Sequence, residues 1–369
     1  MPETRRLGFQ QNDEPSVRTF ARSSQAGKGV RTEPEPKTEG QERAPSKTKI
    51  RRIAVEEHWL SQELSGYRGG ASWIAKTRAA LAPDTMSRMR DLAEIRLEEM
   101  DKAGIAMQVV GVSTLQRIED SSLAIDMAKR SNDLEAELIA RHPDRFAAFA
   151  AIPTHDPEAA ADELERAVKQ LGFKGAMVGG RANGEWLDQD KFRVLWERAA
   201  ALEAPIYIHP ADPTAALLEM FEDRPVLMGN TWAWGVETAT HALRLIASGL
   251  FDVYSKAQII LGHLGESLPF LLGRLDEGHS SVRPEAHGMK KPFSSYIKNN
   301  ILITTSGWYQ PESLVCTIRA IGADRILFAT DYPWVDTGLA VKMFEQTPMS
   351  DDDRENIRHR NAERWLKLC

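Results

Sequence analysis

The sequence is poor in the residues that mark several classes of protein. Its 369 residues include only two cysteines, Cys316 and Cys369, which cannot build a disulfide framework or a cysteine-rich zinc site. Apolar runs such as residues 259–264 and 301–305 are far shorter than the roughly 18–20 residues that a membrane-spanning helix needs. We therefore expect a cytoplasmic protein with no membrane partner.

An excess of basic residues is also absent. The net charge is −6, which argues against a nucleic-acid partner because phosphate binding needs a concentrated basic face. Residues 1–52 nevertheless carry +5, from twelve Lys and Arg against seven Asp and Glu, which leaves −11 for the remainder. Residues 1–47 are rich in Gly, Pro, Ser, Glu and Lys and poor in apolar residues, so they are predicted to be a disordered basic arm. Residues 48–369 are predicted to be one catalytic domain.

Short runs rich in β-branched residues alternate with longer amphipathic stretches from residue 50 onward. This alternation is typical of repeated βα units rather than of a β-sandwich. A doubly wound open sheet is the competing fold, but it would usually carry a glycine-rich phosphate loop after its first strand, and none is present. Eight βα units predict a (β/α)8 TIM barrel with loop insertions. The predicted strands are residues 50–58, 105–113, 146–153, 173–180, 205–210, 257–265, 300–307 and 325–333.

The stretches between the strands carry helix signals. Asp156 is a predicted N-cap with Pro157 in the first turn, and the helix that begins at Pro311 is predicted to stop on Gly322. Residues 350–368 form a predicted C-terminal helix that opens on a serine cap and acidic residues. Cys316 lies inside the helix after strand 7 and is predicted to be a buried core thiol.

Polar side chains collect where the predicted strands end. In a TIM barrel the chemistry occurs at this C-terminal face. By the two-residue period of a strand, Glu56 and His58 face one side and Glu57 the other. Carboxylates and imidazoles together suit zinc, manganese or iron(II). The sequence therefore predicts a metal centre from the residues that converge there, namely Glu56, His58, His209, His263 and Asp331.

Several longer motifs resemble the metal-dependent decarboxylase branch of the amidohydrolase superfamily. That branch includes γ-resorcylate, 5-carboxyvanillate, 2,3-dihydroxybenzoate and aminocarboxymuconate semialdehyde decarboxylases. The resemblance covers about residues 50–369 and excludes the basic arm. It is carried by the strings VEEH, PIYIHP, TWAWGVETATHALRLIASGLFD, IILGHLGESLPFLLGRLD, ITTSG and ILFATDYPW.

The resemblance implies roles for individual residues. One divalent ion, zinc or manganese, would be bound by Glu56, His58, His209 and Asp331. Catalytic roles are implied for Asp331 and for His263 supported by Glu266, and substrate contacts for Arg274 and His279. The two-metal hydrolases of the superfamily use His-x-His on strand 1 and a carboxylated lysine at the end of strand 4. This chain has Glu-x-His, and its Lys174 lies at the wrong end of strand 4, so a mononuclear site is expected.

The activity implied is non-oxidative decarboxylation of a small hydroxylated aromatic acid, in a homodimer or homotetramer. Loss of carbon dioxide needs prior protonation of the ring carbon, for which Asp331 is the candidate donor. Five tryptophans near the strand ends are either substrate walls or loop packing, and the insertion at residues 61–83 is a candidate lid. Two alternatives stay open: a metal-dependent hydrolase of a lactone or amide, and a non-catalytic barrel that binds a metabolite.

Overall fold

The computed structural model describes residues 50–66, 84–283, 286–308 and 310–368. The predicted basic arm at residues 1–47 lies outside the described residues. So do residues 67–83, which make up most of the candidate lid, and Cys369.

Eight parallel strands form the centre of the fold, in the order in which they occur along the chain. Val55 donates its backbone N–H to the carbonyl of Phe328 at 2.9 Å, so the first strand meets the end of the last one and the barrel closes. The predicted (β/α)8 barrel is confirmed. Its strands are β1 Ile53–His58, β2 Met107–Gly111, β3 Phe146–Ala151, β4 Ala176–Gly179, β5 Ile206–His209, β6 Ile259–Leu261, β7 Ile301–Thr304 and β8 Ile326–Leu327.

Helices follow the strands and cover the outside of the barrel. Asp156 caps its helix by accepting from the Ala159 N–H, Pro157 is the first residue, and a later helix ends at Gly322, all as predicted. The described helices are α1 Gln62–Gly66, α2 Thr85–Arg90, α3 Glu94–Ala103, α4 Ser121–Ile139, α5 Pro157–Gln170, α6 Arg193–Leu202, α7 Ala215–Met220, α8 Ala233–Ala247, α9 Leu250–Val253, α10 Leu268–Ser280, α11 Phe293–Asn300, α12 Pro311–Ile321, α13 Thr337–Gln346, α14 Asp351–Glu355 and α15 Asn361–Trp365. Among them we find none with the length and apolar character needed to cross a membrane.

Two hydrophobic cores follow from the alternation of side chains along the strands. One lies between the strands and the surrounding helices, and includes Ala54, Val110 and Ile208. The other fills the barrel interior. Its strand residues are Ile53, Val55, Met107, Val109, Ala147, Phe149, Met177, Tyr207, Ile260, Leu302 and Leu327. The interior is therefore packed below the mouth rather than open as a pore.

The C-terminal segment closes the end of the barrel at which the strands begin, opposite the mouth. Ser350 caps α14, as predicted, and a π-helical turn at Asn356–Arg360 leads into α15. The Asn361 amide donates to the carbonyls of Ala323 and Ile326 at 2.8 and 2.7 Å, which ties α15 to the start of β8. Leu366 belongs to the interior core and is 2% exposed.

Cys316 corrects one prediction, because its thiol is exposed rather than buried. Helix α12 buries Leu314, Thr317 and Ile321, and Cys316 lies on the side of the helix that this stripe leaves outside. Residue type alone favoured burial, whereas the helical phase decided the outcome.

Shortening Leu366 tests the closure of the barrel. Leu366→Ala should lower the free energy of unfolding by about 2–5 kcal/mol, because it removes interior contacts and leaves a cavity. Leu339→Ala, at a position 43% exposed on α13, is the matched control and should cost far less. Urea unfolding measures both. Equal losses in the two variants would show that the C-terminal segment does not seal the interior.

Candidate metal centre

A β-bulge near the end of β1 decides which acidic side chain enters the barrel. Ile53 and Val55 face the interior, so strict alternation would bring Glu57 inside. Instead Val55 pairs with Val109 and Glu57 with Val110, which leaves Glu56 as the extra residue, with a φ of 138°. The bulge turns Glu56 and His58 into the barrel and Glu57 outward. The sides predicted for these three residues are confirmed.

The four residues expected to bind metal meet at the mouth of the barrel. Glu56, His58, His209 and Asp331 each offer one ligand atom, and these atoms all lie within 4.8 Å of one another. His58 Nε2 is 3.1 Å from Asp331 Oδ1, and His209 Nε2 is 3.6 Å from Glu56 Oε1. Residues from the first, fifth and eighth strands thus form one compact cluster, with a carboxylate beside each imidazole.

Glu56 has one oxygen saturated with hydrogen bonds and one left over. Oε2 accepts from the hydroxyls of Tyr207, Thr304 and Ser306. Oε1 is buried and has no hydrogen-bond partner. Burial raises the pKa of Glu56, partly offset by His263. A buried carboxylate oxygen without a donor is costly, and a cation at this position would satisfy it.

His209 is held in the form that binds a metal. Its Nδ1 donates to the carbonyl of Pro210 at 2.7 Å, which leaves the lone pair of Nε2 facing Glu56. Burial, together with the nearby imidazoles of His58 and His263, lowers the pKa of His209 well below its usual value. The neutral ring is therefore the stable one here.

Asp331 follows β8 in a left-handed conformation, with a φ of 64°. Burial alone would raise the pKa of its carboxyl group, but interactions with the imidazoles of His263 and His58 outweigh this effect and hold the pKa at about 2. The ionised carboxylate is thus available as a ligand. Asp331 Oδ2 also lies 3.9 Å from His263 Nε2, so the residue faces both the ligand cluster and His263.

His263 and Glu266 form a pair on the tight turn His263–Glu266, which follows β6. His263 Nδ1 contacts Glu266 Oε1 at 2.7 Å, and this contact orients the ring as the sequence predicted. Burial lowers the pKa of His263, but the carboxylates of Glu266 and Glu56 outweigh it and raise the pKa well above the usual value. The protonated form is therefore favoured at His263, in contrast to His209.

Two glycines make room for these side chains. A Cβ on Gly262 would lie 2.8 Å from both carboxylate oxygens of Glu56. A Cβ on Gly307, whose φ is 64°, would lie 2.8 Å from Cδ2 of His263 and 3.7 Å from Asp331 Oδ2. Only glycine leaves the space beside His263 open at this position.

The donor set fits a single divalent cation. Two carboxylates and two imidazoles around one point are suited to manganese or zinc. Lys174 precedes β4, and its amine is 3.4 Å from the carbonyl of Lys367 in the C-terminal segment. It lies at the opposite end of the barrel and cannot bridge a second ion, which agrees with the expected mononuclear site.

Arg274 and His279 lie on α10, beyond the turn that carries His263. The Arg274 side chain is 82% exposed, with Glu277 as an ion-pair partner at 3.8 Å. His279 contacts His287, with 3.2 Å between the two Nε2 atoms. Within the described part of the chain, no contact joins either residue to the ligand cluster, so their substrate role stays a prediction.

Trp334, one of the five tryptophans near the strand ends, has its ring centroid 6.4 Å from that of His58.

Sequence reasoning missed the residues that support the ligands. Tyr207 lies two residues before His209, and Thr304 and Ser306 lie two residues apart at the end of β7. Strand alternation places such residues on the interior face, so the signal was present for these three. Strand alternation predicts that Glu57 faces away from Glu56 and His58, and so predicts no role for it in the site. The support it gives from outside the barrel depends on tertiary contacts that no local pattern encodes.

Comparison with known proteins agrees with this geometry. The model of the amidohydrolase family matches residues 79–368. The γ-resorcylate decarboxylase of Rhizobium radiobacter is 39% identical over 330 residues, which cover 86% of this chain and 98% of that protein.

Two solved structures are similar over the same region. The crystal structure of 2,6-dihydroxybenzoate decarboxylase complexed with 2,6-dihydroxybenzoate has a TM-score of 0.79 and 37% identity, and covers 86% of this chain and 99% of that one. The dihydroxybenzoic acid decarboxylase from Polaromonas sp. JS666, with bound manganese and the inhibitor 2-nitroresorcinol, has a TM-score of 0.78 and 38% identity, over 86% and 97% of the two chains. With the barrel and its cluster of ligands, these matches lead to one conclusion: the chain belongs to the amidohydrolase family.

Proposed function

We propose that this protein catalyses the non-oxidative decarboxylation of a hydroxylated aromatic acid of the dihydroxybenzoate class. The observation that carries the proposal is the cluster Glu56, His58, His209 and Asp331, with the orphaned oxygen of Glu56 facing His209. The named activity of the similar enzymes supplies the substrate class. The same cluster could also serve a lactone or amide hydrolase, so the named activity of the similar enzymes is what favours decarboxylation.

The four clustered residues are the proposed ligands of one divalent ion. Manganese is the proposed ion, because it is bound in the similar Polaromonas enzyme and suits a site with two carboxylates and two imidazoles. When bound, such an ion supplies a Lewis acid that favours the ionised phenol and orients the aromatic acid.

Asp331 is the proposed proton donor to the ring. Its carboxylate is ionised in the resting site, so it must first take a proton from the neighbouring His263 imidazolium, whose Nε2 lies 3.9 Å from Asp331 Oδ2. A proton added to the ring carbon that bears the carboxylate forms a C–H bond, and the C–C bond then breaks to release carbon dioxide. The electron pair of that bond returns to the ring and restores aromaticity, so the acid gains one proton and loses CO2 with no oxidant. Asp331 follows β8 and is one of the four clustered residues, and its Oδ2 lies 3.9 Å from Nε2 of the protonated His263 imidazole.

His263 is the proposed group that holds a proton next to the Asp331 carboxylate. Glu266 accepts from His263 Nδ1, so Nε2 is the nitrogen that faces Asp331 and Glu56. The Glu266 carboxylate stabilises the imidazolium and keeps its ring oriented. Arg274 and His279 remain the proposed substrate contacts.

The wider organisation is also a proposal. Residues 48–369 are the proposed catalytic domain, preceded by a disordered basic arm at residues 1–47. A homodimer or homotetramer in the cytoplasm is proposed from the family resemblance and from the low cysteine content.

Metal dependence tests the proposed function directly. The protein loaded with Mn²⁺ should release carbon dioxide from 2,6-dihydroxybenzoate. Removal of the ion with a chelator should abolish this release, and added Mn²⁺ should restore it. Gas evolution, product formation and metal content are measured together. Hydrolysis of a lactone without gas release, or unchanged turnover in the metal-free protein, would contradict the proposal.

Replacing Asp331 tests its role as proton donor. Asp331→Asn should reduce turnover of 2,6-dihydroxybenzoate below detection, because the amide has no acidic proton to give to the ring. Metal content is determined on the same sample, since the residue is also a proposed ligand. Near-normal activity in this variant would mean that the proton reaches the ring from another group.

Replacing His263 should show whether the residue acts on the proton or binds the metal. His263→Asn is expected to slow turnover by about 10²–10⁴-fold while the bound Mn²⁺ is retained, because His263 is proposed to act on the proton and not on the ion. Steady-state kinetics and metal analysis check both parts. A variant that has lost its ion would make His263 a ligand instead.

A further inference from the structure

The carboxylate of Glu57 accepts hydrogen bonds from the residues on both sides of Asp331. Its Oε1 accepts from the Thr330 N–H at 2.8 Å, and its Oε2 accepts from the Thr330 hydroxyl at 2.8 Å and from the Tyr332 N–H at 3.3 Å. The two amides on either side of Asp331 are thus held by one side chain, which is fully buried. This contact lies outside the barrel wall, behind the proposed metal ligands.

Gln108 links Glu57 to a buried arginine. Its Nε2 donates to Glu57 Oε2 at 3.2 Å, and its Oε1 accepts from Arg96 Nη1 at 3.2 Å. Because arginine only donates and a carboxylate only accepts, the amide of Gln108 has a single orientation that satisfies both neighbours. All three side chains are 0% exposed, and the positive charge of Arg96 opposes the effect of burial on the Glu57 carboxylate.

Arg96 extends this network to the other proposed ligand at the barrel wall. Its Nη2 donates to the backbone carbonyl of His58 at 2.5 Å, and its guanidinium lies 4.3 Å from the ring centroid of Tyr332. The Arg96 side chain is itself anchored to the carbonyl of Asp91 at 2.8 Å. The backbone at His58 and the backbone around Asp331 are therefore connected through three side chains.

We propose that Glu57, Gln108 and Arg96 form a positioning network that holds His58 and Asp331 in the geometry that binds the metal. Asp331 is in a left-handed conformation, which is unfavourable for a residue with a Cβ and persists only when its surroundings enforce it. Glu57 holds this conformation in place by accepting hydrogen bonds from the N–H groups of Thr330 and Tyr332. None of the three side chains belongs to the proposed ligand set, and the inference rests on the proposed function of the site.

Glu57→Gln tests the network, because the amide presents N–H groups where the protein needs acceptors. The dissociation constant for Mn²⁺, measured by the electron paramagnetic resonance signal of the free ion, should rise by about 10–100-fold, as is usual when the support of a metal ligand is lost. The kcat for 2,6-dihydroxybenzoate at saturating Mn²⁺ should also fall. Urea unfolding of the metal-free protein gives the stability of each variant.

Glu163→Gln is the matched control. Glu163 is also a buried carboxylate, 2% exposed, and it bonds Asn132 and Arg166 on the outer helices rather than the backbone beside a ligand. This variant should lose stability and keep the Mn²⁺ affinity of the wild type. If it weakens Mn²⁺ binding as much as Glu57→Gln does at equal loss of stability, the network is merely structural and the proposal is wrong.

Gln108→Met supplies a second test if the Glu57 variant does not fold. Methionine has nearly the same shape but cannot join the carboxylate to the guanidinium, so Mn²⁺ binding should again weaken. If the wild type binds Mn²⁺ and the folded variants bind it with the same affinity, the positioning network is refuted and the proposed function is not. Absence of Mn²⁺ binding by the wild type would instead refute the proposed function.

Discussion

The structure depends on how two carboxylates, Glu56 and Asp331, are balanced inside the mouth of a protein barrel. An ionised carboxylate removed from water is costly unless hydrogen bonds or opposite charges replace its hydration. Asp331 is stabilised by the imidazoles of His58 and His263, whereas Glu56 has three hydroxyl donors on one oxygen and none on the other. This imbalance at Glu56 is what makes the cluster a place for a cation rather than a self-contained ion-pair network.

The backbone around the site is less regular than the barrel that carries it. Glu56, His263, Glu266 and Asp331 all have positive φ values, and Glu56 is also the extra residue of a β-bulge. Such conformations are unfavourable for residues with a Cβ and are kept by the surrounding contacts. Regular strands would arrange their side chains in layers. The irregular backbone at these four residues instead directs their side chains toward one point above the interior core.

Much of the fold was predictable from the sequence, because strand and helix signals act locally. The eight strands, the caps at Asp156 and Ser350 and the stop at Gly322 all follow from nearby residues. That Glu56, His58, His209 and Asp331 lie together was predictable because strand ends converge in any barrel. The bulge at Glu56, the network behind Glu57 and the exposure of Cys316 were not, since each depends on partners far along the chain or on the exact phase of an element.

The barrel closes between its first and last strands, and this has a consequence for the order of assembly. Glu56 and Asp331 are 275 positions apart in the chain, and Val55 and His58 pair with residues that follow β8. A nascent chain must therefore extend past Asp331 before the four proposed ligands can come together. Such distant pairing is slow compared with local folding, so capture of the ion reports that the whole domain has formed.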